Sequence, residues 1–167
     1  MTETGRPTKI AEGRDSVTDR LGHASLGYQI GLISRLLAQS LKKRNGKDGI
    51  LPGQFPVAIE LMAHDGATQR ELCDRVRIDQ STMASTLKRM ERNGVIQRRA
   101  CLHDGRQSTI HMTAKGRKLF GAAAKNAQDV NRIAFECIDP EAAAHLRDAL
   151  MRIADGLSRD VHDCDRG

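Results

Sequence analysis

The sequence contains few aromatic residues and no tryptophan, because Phe and Tyr together make up 2% of its 167 residues. A hydrophobic core must therefore be built from aliphatic side chains, Met and Ala. The sequence also has no run of about 18 apolar residues, so we predict no membrane-spanning helix and no membrane partner. The first 20 residues are polar and lack the apolar centre of a signal peptide, which predicts a cytoplasmic protein.

Cysteine is also scarce, and the four cysteines are widely spaced, with no C-x-x-C pair. The six histidines form no pair at i, i+4 spacing. These absences predict no metal and no cofactor. We also find no nucleophile–base pattern and no phosphate-binding glycine loop, so we do not expect an enzyme.

Positive charge is abundant and unevenly placed. The formal net charge is +6, and residues 81–118 carry nine basic but only two acidic side chains. Residues 119–167 carry six basic and nine acidic side chains. A basic segment in the middle of the chain favours a polyanionic partner such as nucleic acid, and the alternative is a solvated basic face.

Two long amphipathic helices are predicted near the ends of the chain. The first has apolar residues at steps of three and four, at Leu26, Ile30, Ile33, Leu37 and Leu41. The last repeats this spacing at Leu146, Leu150, Ile153, Leu157 and Val161. Because each helix carries a narrow apolar stripe, we expect both to pack against a second copy in a homodimer. The alternative is that they fold back onto their own core.

The middle of the chain predicts a helix-turn-helix followed by a β-hairpin. Thr68 and Glu71 form a capping box that begins a short helix, and Asp79 is a good N-cap for a second helix that runs from Gln80 to about Arg92. Strand-like runs at 95–102 and 107–113 then flank an Asp-Gly turn. A hairpin in this position is a wing.

The predicted fold is therefore mainly α with a small β-wing. A winged helix-turn-helix core lies between long N- and C-terminal dimerisation helices. The expected organisation is one integrated domain that contains a flexible arm (1–20), an N-terminal dimerisation helix (21–50), the winged region (51–113) and C-terminal dimerisation helices (114–167).

A winged helix-turn-helix with a basic face predicts binding to double-stranded DNA. With Met83 and Leu87 facing inward, the polar side chains of the second helix should face the major groove. Gln80, Ser81 and Ser85 are expected near bases. The full predicted set is Thr68, Gln69, Gln80, Ser81, Thr82, Ser85, Lys88, Arg89, Asp104 and Arg106.

Each group within this set has a proposed role. Lys88 and Arg89 are expected to contact phosphates, and Thr68 and Gln69 to hold the DNA backbone. Arg106 at the wing tip is expected to enter a narrow minor groove, where negative potential is enhanced. Asp104 is expected to orient Arg106, although an exposed ion pair in a hairpin turn is the alternative.

Taken together, these segments resemble the MarR (multiple antibiotic resistance regulator) family over about residues 26–161. The similar stretches, in order, are LPGQF (51–55), TQREL (68–72), DQSTMAS (79–85), LKRMERNGVI (87–96), DGR (104–106) and MTAKG (112–116). The resemblance implies a triangular dimer with winged DNA-binding lobes and a palindromic operator. It also implies repression of nearby genes that a small, often aromatic ligand relieves.

The sequence departs from the family pattern at two positions. Arg77 stands in the helix-turn-helix turn, where the family often has Gly, so a positive φ there would carry strain. Met112 replaces the usual Leu after the wing, which should cost little.

The effector and two alternative functions rest on weaker patterns. Tyr28, Arg35 and His64 are candidates for a ligand cleft near the dimer interface, although ordinary packing or surface roles are the alternative. A winged-helix adaptor for an acidic protein is one alternative function. A thiol-based redox sensor using Cys73 or Cys101 is the other, but the peroxide-sensing branch of the family has a Cys near the start of the first helix, and residues 21–28 have none.

Overall fold

The structure, a computed structural model, describes residues 25–100 and 108–164. The chain divides into two compact units, residues 1–39 and 40–167. The described elements, in chain order, are α1 (Leu26–Asn45), a 3₁₀ turn (Pro52–Gln54), α2 (Phe55–Ala63), β1 (Ala67–Thr68), α3 (Gln69–Val76), α4 (Gln80–Arg92), β2 (Ile96–Ala100), β3 (Ser108–Met112), α5 (Ala114–Phe135) and α6 (Pro140–Cys164).

The mainly helical fold with a small β-wing is confirmed. The three strands form one antiparallel sheet in the order β1-β3-β2. Ile96 pairs with Met112 and Ala100 with Ser108, so β2 and β3 form the predicted hairpin. The short strand β1 was not predicted, and it joins the outer edge of β3 through Ala67 opposite Ile110.

Side-chain caps begin the helices that carry the winged region. Thr68 accepts a hydrogen bond from the Glu71 amide, Asp79 from the Thr82 amide and Thr113 from the Gly116 amide. Asp139 accepts one from the Ala142 amide before α6. The caps at Thr68 and Asp79 follow the sequence prediction, because an N-cap depends only on residues within one helical turn.

A single aliphatic core holds the winged region together. Its buried residues are Ile50, Val57, Ala58, Leu61, Ala67, Leu72, Cys73, Met83, Leu87, Met90, Val95, Ile96, Ile110, Met112 and Ala123. At its edge the rings of Phe55 and Phe120 stack, with their centroids 5.6 Å apart. The predicted inward positions Met83 and Leu87 are both fully buried.

Much of the apolar stripe on each of α1 and α6 is exposed in the single chain, but Leu41 of the predicted α1 stripe is buried, with 8% of its surface exposed. On α1, Leu26 is 52% and Ile33 54% exposed, and on α6, Leu157 is 61% and Val161 59% exposed. Leu36, which lies outside the predicted stripe of α1, is also 54% exposed. The exposed apolar surface of α1 is therefore wider than the sequence pattern predicted.

Within the described ranges, no helix is both long enough and apolar enough to cross a membrane. Over the same residues, no three His, Cys, Asp or Glu side chains are grouped as a metal ion would require.

Candidate nucleic-acid interface

The outer face of α4 is polar, basic and exposed. Its inner face is held by Met83, Leu87 and Met90, which are all fully buried. The exposed polar side chains of α4 are Gln80, Ser81, Thr82, Ser85, Lys88, Arg89, Glu91 and Arg92. The α4 face that the sequence analysis assigned to DNA therefore lies outside the hydrophobic core.

Asp79 organises the first turn of α4. Its carboxylate accepts hydrogen bonds from the Ser81 hydroxyl at 2.6 Å, the Thr82 hydroxyl at 2.6 Å and the Thr82 amide at 2.8 Å. The bonds from Ser81 and Thr82 hold the pKa of Asp79 well below its usual range. Because both hydroxyl protons are engaged, Ser81 and Thr82 present only acceptor lone pairs to a ligand.

The N-termini of α3 and α4 are joined by two glutamine side chains. Gln69 Nε2 donates to Gln80 Oε1 at 3.1 Å and to the Gln80 main-chain oxygen at 3.4 Å. Gln69 is half-buried, whereas Gln80 is exposed. Both residues were predicted DNA contacts, but the hydrogen bond between them was not predicted.

Basic side chains surround this polar face. Lys88, Arg89 and Arg92 are exposed on α4, and Arg99 is exposed on β2. Glu91, the one acid on the α4 face after Asp79, pairs with Arg98 of β2, with Arg98 Nε 3.4 Å from Glu91 Oε2. The pair links the wing to α4 and neutralises a carboxylate that would otherwise repel phosphate.

The base of the wing is fixed by Asp65, which follows α2. Asp65 Oδ1 accepts from the Met112 amide at 2.8 Å, and Oδ2 lies 3.1 Å from both His111 Nδ1 and Arg117 Nη2. Burial acts to raise the pKa of Asp65, but these three partners outweigh burial and lower it. The carboxylate therefore joins α2, β3 and α5.

Arg77 occupies the turn between α3 and α4 with φ 59° and ψ 49°. It is the one residue other than Gly with a positive φ in the described parts of the chain. The strain predicted from its sequence position is therefore present. Its guanidinium also contacts the Ser158 hydroxyl on α6, so the turn is connected to the long C-terminal helix.

Three comparisons with known proteins bear on this geometry. The model of the MarR family matches residues 48–107, from before α2 to the end of the predicted wing loop. The HTH-type transcriptional regulator BilQ of Clostridium symbiosum is 27% identical over 118 residues, which cover 71% of this chain and 81% of BilQ. The winged region of the chain is therefore similar to the MarR family over residues 48–107.

Solved MarR-type structures share the fold. A putative MarR family regulator from Listeria monocytogenes, solved in complex with a 26mer DNA, superposes with a TM-score of 0.75 at 22% identity, covering 86% of this chain and 95% of that one. The PcaV transcriptional regulator from Streptomyces coelicolor, solved with its natural ligand, gives a TM-score of 0.72 at 23% identity, covering 79% and 93%. These likenesses show that the chain shares the fold of these transcriptional regulators.

The fates of the predicted site residues differ. Thr68, Gln69 and Gln80 lie together where α3 and α4 begin, as described above. The side chains of Ser81, Thr82, Ser85, Lys88 and Arg89 are exposed on α4. Asp104 and Arg106 lie outside the described residues, as do Cys101 and the arm 1–20. The roles assigned to all these residues in DNA binding remain predictions.

The three residues that the sequence analysis proposed for a ligand cleft are all exposed. Tyr28 and Arg35 are exposed on α1, and His64 is exposed just after α2. Their assignment to an effector cleft remains a prediction.

Cys73 is buried, and burial together with Asp74 and Asp79 raises the pKa of its thiol. A raised pKa disfavours the thiolate, so Cys73 is a poor redox sensor.

The sequence analysis did not predict two parts of the site. These are the Gln69–Gln80 hydrogen bond and the Asp65 group, in which Asp65 contacts His111, Met112 and Arg117. Each joins residues that are separated along the chain, by 11 positions for the glutamines and by 46 and 47 for Asp65 with His111 and Met112. One usable signal was present, because both glutamines directly follow an N-cap at the two ends that a helix-turn-helix brings together.

Proposed function

We propose that this chain is a dimeric repressor that binds a two-fold symmetric DNA operator and is released by a small ligand. The observation that carries the proposal is the exposed, polar and basic outer face of α4, which has Met83, Leu87 and Met90 buried behind it. A helix of this kind fits the major groove, where Ser, Gln, Lys and Arg side chains meet base edges and phosphates.

The exposed apolar residues of α1 and α6 support the dimer. Side chains such as Leu36 and Leu157, each more than half exposed, lose water contact only if a partner covers them. A two-fold dimer places one recognition helix in each of two successive major grooves, about 34 Å apart. The Listeria regulator in its DNA complex is consistent with this use of the fold.

The ligand-release part of the proposal rests on the resemblance to the MarR family. PcaV, which shares the fold, was solved with its natural ligand. Because the family resemblance implies aromatic effectors, aromatic acids are the first class to test. A thermal-shift screen of such acids should find at least one compound that raises the melting temperature and releases bound DNA. A screen without a stabilising compound contradicts this part alone.

The proposal is tested by selecting tight-binding duplexes from a random library and measuring their salt dependence. An operator complex that neutralises about 6–10 phosphates should lose about a thousandfold or more in affinity between about 50 and 200 mM salt, while retaining its sequence preference. Weak binding without an enriched motif would instead favour the adaptor function.

The wing contributes a second arm to this test. Arg106→Ala should weaken operator binding at least about tenfold if the side chain occupies a minor groove of enhanced negative potential. Arg132→Ala is the matched control, because Arg132 is exposed on α5 and paired with Asp129 and Glu136. Equal affinities of the two variants at matched salt remove the proposed role of Arg106.

A further inference from the structure

The hydrogen bond between Gln69 and Gln80 restricts which DNA base the Gln80 side chain of α4 can recognise. Gln80 is the first residue of α4, and its side chain is exposed. It therefore lies at the N-terminal end of the helix, which is the end that we propose faces the DNA. Gln69 is the first residue of α3 and donates from Nε2 to Gln80 Oε1 at 3.1 Å. The second contact, to the Gln80 main-chain oxygen at 3.4 Å, places the same amino group against the helix end.

The backbone next to each of the two glutamines is held in place by hydrogen bonds. Thr68, directly before Gln69, pairs with Thr109 in the sheet, and its amide donates to Glu71 Oε2 at 2.7 Å. Gln80 directly follows Asp79, whose carboxylate makes three short hydrogen bonds into the first turn of α4. Both glutamines therefore extend from fixed backbone positions, and the hydrogen bond between them restricts the rotamers of Gln80.

The groups left available on Gln80 form a defined pattern. A glutamine amide has two lone pairs on its oxygen and two hydrogens on its nitrogen. The bond from Gln69 occupies one lone pair, so Oε1 can still accept one hydrogen bond and Nε2 can donate beside it. Adenine presents the complementary pair in the major groove, with an N6 donor next to the N7 acceptor. Guanine presents two acceptors there and would face Oε1 with O6.

We propose that Gln80 reads an adenine in each operator half-site through a bidentate contact, and that Gln69 is the positioning residue that fixes its amide for this contact. This inference rests on the proposed operator binding and assigns the base class that one residue recognises. Holding Gln80 in place before DNA arrives reduces the rotamer entropy lost on binding, so the preference for adenine depends on both residues.

The test is a double-mutant cycle that combines substitutions of Gln80 or Gln69 with the modification of one adenine in the operator. The selected operator is compared with duplexes carrying 7-deazaadenine, which lacks the N7 acceptor, at each conserved adenine of the half-site in turn. For the wild type, one position should show a loss of about five- to a hundredfold. Gln80→Ala should lose affinity for the unmodified operator and become insensitive to the substitution at that position.

Variants of Gln69 test the positioning role. Gln69→Ala and Gln69→Glu both remove the donated hydrogen bond, and the carboxylate of Gln69→Glu also repels Gln80 Oε1. Both should reduce the penalty for 7-deazaadenine at that one position, while the penalties at other positions and the melting temperature stay unchanged. Gln128→Ala, at an exposed position on α5, is the matched control and should retain the full wild-type pattern.

The outcomes separate this inference from the proposed function. If no duplex is enriched and the wild type binds all sequences equally, operator binding itself fails. If the wild type has an operator but Gln80→Ala keeps its sensitivity to every adenine substitution, the reading of adenine by Gln80 is wrong. If only Gln80 variants change the pattern and Gln69 variants keep it, the positioning role of Gln69 is overturned.

Discussion

At the scale of single residues, Arg77 is the position where sequence and backbone disagree. Its left-handed conformation lets its amide donate to Cys73 O at 2.8 Å and end α3 within one residue. Gly adopts this conformation without steric cost, whereas the Cβ of any other residue crowds the backbone. The strain is offset in part by the guanidinium contact with Ser158.

Replacing Arg77 with Gly should therefore stabilise the protein. We expect Arg77→Gly to raise the free energy of unfolding by about 0.5–1 kcal/mol, measured by urea denaturation. Arg75→Gly is the matched control, because Arg75 lies in the last turn of the same helix, where Gly should cost about 1 kcal/mol. Equal destabilisation by the two substitutions means that the Ser158 contact outweighs the strain.

Asp79 predicts a specific dependence of stability on pH. Because its pKa is lower in the folded protein than in the unfolded chain, its stabilising effect is present above the unfolded value of about 4 and is lost as the pH falls below that value. The urea midpoint should fall between about pH 5 and pH 2. Asp79→Asn keeps an N-cap but cannot titrate, so its midpoint should fall less over this range. Identical pH profiles would contradict the role of the Ser81 and Thr82 hydrogen bonds.

At the scale of elements, the wing is anchored through Asp65. Removing this side chain leaves the amide of the buried residue Met112 without its acceptor, which costs about 1–3 kcal/mol. Asp65→Asn keeps an acceptor for that amide and loses only the charge opposite His111 and Arg117. Since these partners are partly exposed, that loss should be about 0–1 kcal/mol.

The measurement for this prediction is urea denaturation together with hydrogen exchange at the Met112 amide. Asp65→Ala should be clearly less stable than Asp65→Asn, and only the Ala variant should exchange this amide faster relative to global unfolding. Equal stabilities of the two variants would show that charge, and not the backbone hydrogen bond, secures the wing.

The elements also show which features a sequence can predict. The predicted bounds of α4 match the structure at Gln80 and Arg92, because Asp79 begins the helix and Asn93-Gly94 ends it through local conformations. Strand β1 is only Ala67–Thr68, too short to leave a periodic pattern, and it exists because β3 offers an unpaired edge. The Asp65 group likewise depends on the tertiary arrangement of three elements.

At the scale of the whole molecule, the exposed apolar residues of α6 predict self-association. Leu157→Glu introduces a charge on an apolar face that we propose is buried between two copies. We expect this variant to shift from dimer to monomer in light scattering at micromolar concentration and to lose at least about tenfold in operator affinity. Gln128→Glu makes the same charge change at an exposed site on α5 and should remain dimeric.

The opposite result would be equally clear. If Leu157→Glu stays dimeric with wild-type operator affinity, then α6 does not contribute to the interface. If the wild type itself is monomeric, the apolar faces of α1 and α6 need another explanation, and a two-fold operator is no longer expected.

The most direct measurement is a hydroxyl-radical footprint of the selected operator bound by the wild-type protein. The paired use of α4 predicts two protected regions related by a two-fold axis, with centres separated by about one helical turn or a multiple of it. Arg89→Ala should weaken both regions together, because each copy contributes the same side chain. One asymmetric protected region, or uniform cleavage along the duplex, would contradict the account.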